Sequence, residues 1–270
     1  MHMKVATEAQ DKPVIESIVS IAAIALMNLW AYPILVLWTL FGILIFPLLF
    51  VLGRAVFRWP ADRLTRWCIW SYGRGWFLLM SPFVRFKREQ MTLLDKEKPY
   101  LFVVNHLSFF DTFCMALLPI HNIVFAVRSW PFRMLWYRSF MRLANYLDVE
   151  GDCWEDILAG SKKAFAANGS VLFFPEGHRS RDGKLQRFYS GGFKVAIAAG
   201  IPIVPLCISG TDLLLPPGKK LMRPCQIVLR ALEPIPTGDF SGKDGHLRLR
   251  KLVKNQMANS LAEMRGEEKC

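Results

Sequence analysis

The fold class predicted by this sequence is α/β: a mixed, mostly parallel sheet flanked by helices, preceded by a membrane-embedded helical segment. Three observations carry it. Val14 to Phe57 is almost wholly apolar. Beyond Pro82, short β-branched and aromatic runs alternate with helical patterns, the arrangement that builds parallel strands under covering helices. A chain of 270 residues is long enough for one large domain with an appendage.

Within the apolar stretch, Pro33 to Gly53 carries no charge over 21 residues. At 1.5 Å per residue this run reaches roughly 31 Å, enough to cross a bilayer core. The run before it, Val14 to Tyr32, is also long enough but holds Glu16 and Asn28. Residues 1–57 therefore read as one membrane helix or as a helical hairpin turning near Pro33. The hairpin is the preferred expectation, because the connection Trp30 to Pro33 is uncharged and proline bends helices. A cleaved signal peptide does not fit a run this long. Residues 58–82 interleave Arg58, Arg63, Arg66 and Arg74 with Trp59, Trp67, Trp70, Tyr72 and Trp76. That mixture predicts an interfacial helix over Ala61 to Met80, its arginines turned toward anionic lipid.

The net charge of +12 favours an anionic partner, and the hydrophobic share of 53% points to a membrane. No nucleic-acid-binding pattern is present, so membrane lipid or a phosphorylated substrate is expected and nucleic acid is not. Six scattered cysteines without a C-x-x-C pair argue against a disulfide framework or a structural zinc.

In residues 83–270 strands are expected at Phe83–Lys87, Tyr100–Val104, Asn122–Val127, Ser170–Phe174, Ile203–Ile208 and Gln226–Leu232. Helices are expected at Phe109–Leu118, Trp130–Ala144, Trp154–Ala167, Gly192–Ala199 and Leu247–Met264, with a loop over Leu213–Lys220. Two segments stand out. Asn105-His106-Leu107-Ser108-Phe109-Phe110-Asp111 follows a buried strand, where open α/β sheets place ligands. Asp111 falls in the first turn of the next helix and can reach back to His106, holding its tautomer so that the imidazole takes a proton as general base. As an ordinary helix start, Ser108 would cap and Asp111 would complement the dipole. Phe174-Pro175-Glu176-Gly177-His178-Arg179-Ser180 follows another apolar run. Gly177 permits a tight turn, Arg179 offers a donor fork for phosphate, and Glu176 either binds a hydroxyl or holds Arg179.

Together these motifs resemble the membrane-bound glycerolipid acyltransferases of the lysophosphatidic-acid acyltransferase type. Their N-H-x-S-x-x-D block is matched at Asn105 to Asp111. Their F-P-E-G-T-R-S block is matched at Phe174 to Ser180, with His178 for Thr. Phe125 to Arg128 resembles the segment with a basic phosphate ligand. Phe188, Gly191 and Ala196 keep the spacing that follows the third block, and Ile201 to Pro205 with Gly210-Thr211 follow in order. The resemblance spans roughly Pro82 to Pro236. It departs where the second block usually ends in arginine, since Asp148 and Glu150 stand there, and where Tyr189 and Ser190 replace common lysines.

The resemblance implies a glycerol-3-phosphate acyltransferase-like fold and acyl transfer from an acyl thioester, on acyl carrier protein or coenzyme A, to a lysophospholipid-type hydroxyl. The expected acceptor is 1-acyl-sn-glycerol-3-phosphate. His106 and Asp111 would be catalytic; Asn105, Ser108, Arg128, Glu176, Gly177, Arg179, Ser180, Arg187 and Lys194 would bind substrate. No metal and no cofactor beyond the thioester co-substrate are expected. The lost positive charge leaves open a non-phosphate acceptor (a lyso-aminolipid or a polyketide-type hydroxy acid), and a non-catalytic lipid-binding protein is the rival from another class. A serine hydrolase is disfavoured because no G-x-S-x-G elbow occurs. The expected location is a bacterial inner membrane, with the catalytic domain facing the cytoplasm.

Overall fold

The computed structural model describes residues 5–216 and 218–266. In chain order the elements are α1 (Val5–Phe57), α2 (Ala61–Met80), β1 (Val84–Glu89), β2 (Leu101–Val104), α3 (Asp111–Cys114), β3 (Ile123–Val127), α4 (Trp130–Arg133), α5 (Leu135–Leu143), β4 (Leu147–Asp148), α6 (Trp154–Ala166), β5 (Ser170–Phe173), α7 (Gly191–Ala199), β6 (Ile203–Ser209), α8 (Thr211–Leu214), β7 (Cys225–Ala231) and α9 (Gly245–Arg265). The strands form one sheet in the order β1-β7-β6-β2-β5-β3-β4. Every pairing is parallel except β6 with β7.

Strand β2 explains the layering. Its four residues are all buried, as a parallel strand covered on both faces must be. Phe102 and Val104 face the core under α1, α2 and α3, while Leu101 and Val103 face the core under α6, α7 and α9. Strand β4 was not among the expected elements, being only Leu147 and Asp148. The helix expected over Phe109–Leu118 shortens to α3 and a 3₁₀ turn at Met115–Leu117. The one expected over Trp130–Ala144 breaks at Met134, whose backbone is extended.

The N-terminal hairpin is corrected. α1 runs without interruption through Pro13, Pro33 and Pro47. A proline inside a helix forfeits one backbone donor, whereas a turn in apolar surroundings would leave several peptide groups unpaired. Among the described residues Ser20–Phe57 is the one helix long and apolar enough to cross a membrane. Its 38 residues extend to about 57 Å, nearly twice a hydrocarbon core.

One stripe of α1 is fastened to the rest of the protein. Met27 and Ala31 are fully buried, and Leu35 and Trp38 pack on the same core. Trp38 donates its indole N–H to the Tyr72 carbonyl at 3.0 Å, and Phe46 meets Phe140 edge-on. Asn28 makes a paired latch with Met222, donating to its carbonyl at 2.7 Å and accepting from its amide at 2.8 Å. The close crossing of α1 and α2 needs Gly75, where a Cβ would lie 2.1 Å from the Trp38 ring. The opposite stripe, with Leu29, Leu37, Leu44 and Leu48, is exposed.

Helix α2 packs between α1 and the turn after α3, so its arginines do not all face outward as expected. Arg66 is buried: Nε donates to Asn122 Oδ1, Nη1 to the Ala144 carbonyl, and Nη2 to Asp62. A guanidinium with its donors filled this way ties α2 to the start of β3 and the end of α5. Arg63 lies over Trp59 and Arg74 over Trp70.

Next to this network His121 stacks on Trp59, with centroids 5.4 Å apart, and its Nε2 is buried without a partner. Burial, then the Arg63 and Arg66 charges, lower its pKa from the ordinary 6.5. The folded protein therefore resists the proton that an unfolded chain accepts, so stability is lost as pH falls below about 6.5. His121→Phe is expected to flatten that loss between neutral pH and about pH 5. Denaturant unfolding of both proteins across that range measures it.

Candidate active site

Four parallel strands, β6, β2, β5 and β3, end on one edge of the sheet. The loops leaving them bring together His106 (after β2), Glu176 (after β5), Arg128 (after β3) and Thr211 (after β6). Register puts Ala126 beside Phe173 and Phe173 beside Val103. The backbones of Arg128 and His106 thus stand two strand spacings apart, roughly 10 Å.

His106 Nδ1 lies 2.7 Å from Asp111 Oδ2. The same Oδ2 accepts the backbone N–H of Leu107 at 2.6 Å and of Ser108 at 2.8 Å. Asp111 is fully buried, and Thr211 donates its hydroxyl to Oδ1 at 2.5 Å. A carboxylate holding Nδ1–H leaves the lone pair on Nε2, the nitrogen turned away from it. The imidazole keeps 18% exposure and packs on Phe174, with centroids 4.4 Å apart.

The two motifs are stitched to each other. Glu176 is buried; its Oε1 accepts the His106 amide and its Oε2 the Gln186 amide, each at 2.8 Å. Burial is the largest influence on this carboxyl and raises its pKa, against the pull of the two amides. The Ser180 amide donates to the His106 carbonyl at 2.8 Å. Gly177 turns at φ +70°, a conformation glycine adopts freely, with Tyr189 packed close above it.

The expected binding residues separate into groups. Asn105 is buried and bonds both backbone groups of Ile208, donating at 2.9 Å and accepting at 2.8 Å, which locks β2 to β6. Ser108 and Ser180 are buried too, and the Ser180 hydroxyl donates to Asp182 and the Lys184 carbonyl. Glu176 holds the His106 and Gln186 amides and not Arg179, as had been one expectation. Arg128 reaches the right edge, but its Nε pairs with Glu150 at 2.6 Å. Arg179 and Arg187 are exposed, and among the described residues neither forms an ion pair. Lys194 is exposed one turn into α7, in the layer opposite α1. An apolar groove of about 310 Å³ lies between α1 and α2, lined by Leu49, Leu52, Phe57, Trp59, Leu64 and Trp67, next to His121, which precedes β3 and on which Trp59 stacks.

Sequence reasoning missed Thr211 and Gln186 as members of the site. Gly210-Thr211 stands out in the sequence only as a matching dipeptide, 100 positions from its partner. Thr211→Val strands the buried Asp111 Oδ1 without its donor. A loss of about 1–3 kcal/mol is expected for such a group, or roughly tenfold or more in kcat where that carboxylate steadies a base. Steady-state kinetics on folded variant tests it.

The class defined by this fold and site is an α/β protein with a mostly parallel sheet, carrying at its carboxyl edge a His–Asp pair to which a turn from a neighbouring strand is bonded. The family model described as Acyltransferase matches residues 85–209 of this chain. The chain is 31% identical over 153 residues to the 1-acyl-sn-glycerol-3-phosphate acyltransferase of Limnanthes douglasii, covering 54% of this chain and 53% of that protein. It is 27% identical over 184 residues to the human protein named 1-acyl-sn-glycerol-3-phosphate acyltransferase beta, covering 63% of this chain and 64% of that one. The chain spans about half the length of the plant relative and under two thirds of the human one. In fold it is similar to the crystal structure of the 1-acyl-sn-glycerophosphate acyltransferase PlsC of Thermotoga maritima. There the TM-score is 0.66 at 22% identity, with 87% of this chain and 98% of that chain covered.

Proposed function

We propose that this protein is a membrane-bound O-acyltransferase that moves a fatty acyl group from an acyl thioester to the hydroxyl of a lysophospholipid-type acceptor, 1-acyl-sn-glycerol-3-phosphate. The observation that carries the reading is the His106–Asp111 pair, with Nδ1 held at 2.7 Å and Nε2 left to take a proton. In this reading Nε2 removes the acceptor's hydroxyl proton as its oxygen attacks the thioester carbonyl. The tetrahedral intermediate collapses, the C–S bond breaks, and the imidazolium returns the proton to the departing thiolate. The products are an ester and a free thiol, on acyl carrier protein or coenzyme A. Asp111 orients the imidazole and stabilises the imidazolium. Arg179 and Arg128 are the candidate ligands for an acceptor phosphate. The exposed leucine stripe of α1 lies in the apolar layer of the membrane, and the fastened stripe holds the catalytic domain at its surface, on the cytoplasmic side of a bacterial inner membrane.

The Arg128–Glu150 ion pair favours one second reading: the same chemistry on an acceptor lacking phosphate, because it neutralises one of the two candidate phosphate ligands. Purified protein in nanodiscs, given acyl thioester and a panel of acceptors, separates the two by the rate of thiol release. The main reading expects 1-acyl-sn-glycerol-3-phosphate to give the highest kcat/KM. A lyso-aminolipid or hydroxy acid in first place selects the second, and no hydroxyl-dependent release with any acceptor refutes both.

A further inference from the structure

The segment Trp130–Leu143 takes no part in the chemistry above, yet it is composed in a way that the core does not require. On α5, Tyr137, Phe140 and Met141 fall on one side, and Phe140 meets Phe46 of α1 with centroids 4.9 Å apart. Arg138 and Arg142, one turn apart, share another side and are exposed. Between these sides runs an edge of Leu135, Ser139 and Leu143, and Leu135 is 83% exposed. Through α4 the edge continues with Trp130, half-exposed, and Arg133, exposed. Among the described residues none of the three arginines forms an ion pair, although Arg133 lies in the field of Asp148.

We propose that Trp130–Leu143 is a second lipid-facing element, docked in the headgroup layer of an anionic leaflet. Trp130, Leu135 and Leu143 enter the acyl boundary, and Arg133, Arg138 and Arg142 meet lipid phosphates. A short helix with an apolar edge flanked by arginines suits that layer, where each cation gains from the surface potential. The Phe46–Phe140 contact fastens the packed side of α5 to the fastened stripe of α1, so the element is carried on the same body as the helix proposed to enter the membrane. A second copy of this chain is the poorer occupant, since pairing the edge with itself would oppose arginine to arginine on a protein of net charge +12. The element begins two residues after Arg128, so docking it brings the β3 end of the site down to the leaflet that holds a lipid acceptor. This inference rests on the membrane-bound reading and not on the acceptor or the acyl chemistry.

Hydrogen exchange of the full chain in nanodiscs tests it, comparing phosphatidylcholine alone with phosphatidylcholine plus phosphatidylglycerol. Amides of residues 132–143 are expected to exchange roughly tenfold or more slowly in the anionic discs, in keeping with about fivefold per arginine at such a surface. The variant with Arg133→Gln, Arg138→Gln and Arg142→Gln should lose that difference while keeping its rate on a short-chain acceptor in detergent. Equal exchange in both discs, or protection that survives the three substitutions, overturns the proposal. So does protection that grows with protein concentration in detergent, which would assign the edge to a second copy. The same data read the membrane-bound reading separately, because Ser20–Phe57 unprotected in either disc would refute that instead.

Discussion

His106→Ala is expected to lower kcat by about a thousandfold, within the range a positioned general base contributes, while leaving the fold in place. The imidazole is an edge group with residual exposure and one side-chain partner, so its loss leaves little unsatisfied apart from Asp111. Asp111→Asn should cost as much in kcat and more in stability. Asp111 Oδ2 takes three donors, from His106, Leu107 and Ser108, and Oδ1 takes a fourth from Thr211. An asparagine amide turns one of those acceptors into a donor facing donors, inside a fully buried site. Removing such acceptors costs about 1–3 kcal/mol each. Because the two side chains act as one unit, the double variant should be no slower than the slower single one. Single-turnover thiol release gives the rates, and denaturant unfolding gives the stability difference. Near-normal turnover in His106→Ala would end the general-base mechanism.

Which parts of this site could be read from sequence follows from how local each contact is. His106 and Asp111 are five positions apart at a strand end, so one turn of chain suffices to join them. The strands β2, β5 and β6 are continuous apolar runs, which is why their positions fall within a residue or two of expectation. The contacts that close the site are long-range: Thr211 to Asp111, Ser180 to the His106 carbonyl, Glu176 to the His106 amide. Each joins loops from neighbouring strands and depends on sheet order, which residue pattern does not encode. Strand β4 has two residues, one of them acidic, and too short a pattern to register. The hairpin expectation treated Pro33 as a breaker. A single missing donor is cheaper than an open turn, and the tertiary stripe from Met27 to Phe46 holds the helix straight through. Arg66 is indistinguishable in sequence from Arg63 and Arg74, because only the Asn122 and Ala144 oxygens draw it fully inward.

Arg179→Ala is the substitution that discriminates most about the acceptor. Arg179 directly precedes Ser180, whose amide is bonded to the His106 carbonyl, so its guanidinium extends from a point fixed beside the base. It is exposed and unpaired among the described residues, whereas Arg128 is already matched by Glu150. A phosphate bound there would draw chiefly on Arg179. Losing one such charged partner at a solvent-accessible mouth costs about 1 kcal/mol, the upper end for exposed pairs, which is roughly fivefold in KM for the acceptor at unchanged kcat. Arg128→Ala should cost less, and Glu150→Gln should lower the acceptor KM by releasing Arg128. Salt supplies the control: screening at high ionic strength should shrink the Arg179→Ala penalty, because an exposed pair is attenuated over about 10 Å at 0.1 M. Initial rates at varied acceptor concentration, in low and high salt, decide the matter. A rise in KM for the acyl donor alone would move Arg179 to the thioester side of the site. Indifference of both KM values would leave the phosphate without its proposed ligand and favour an acceptor that carries none.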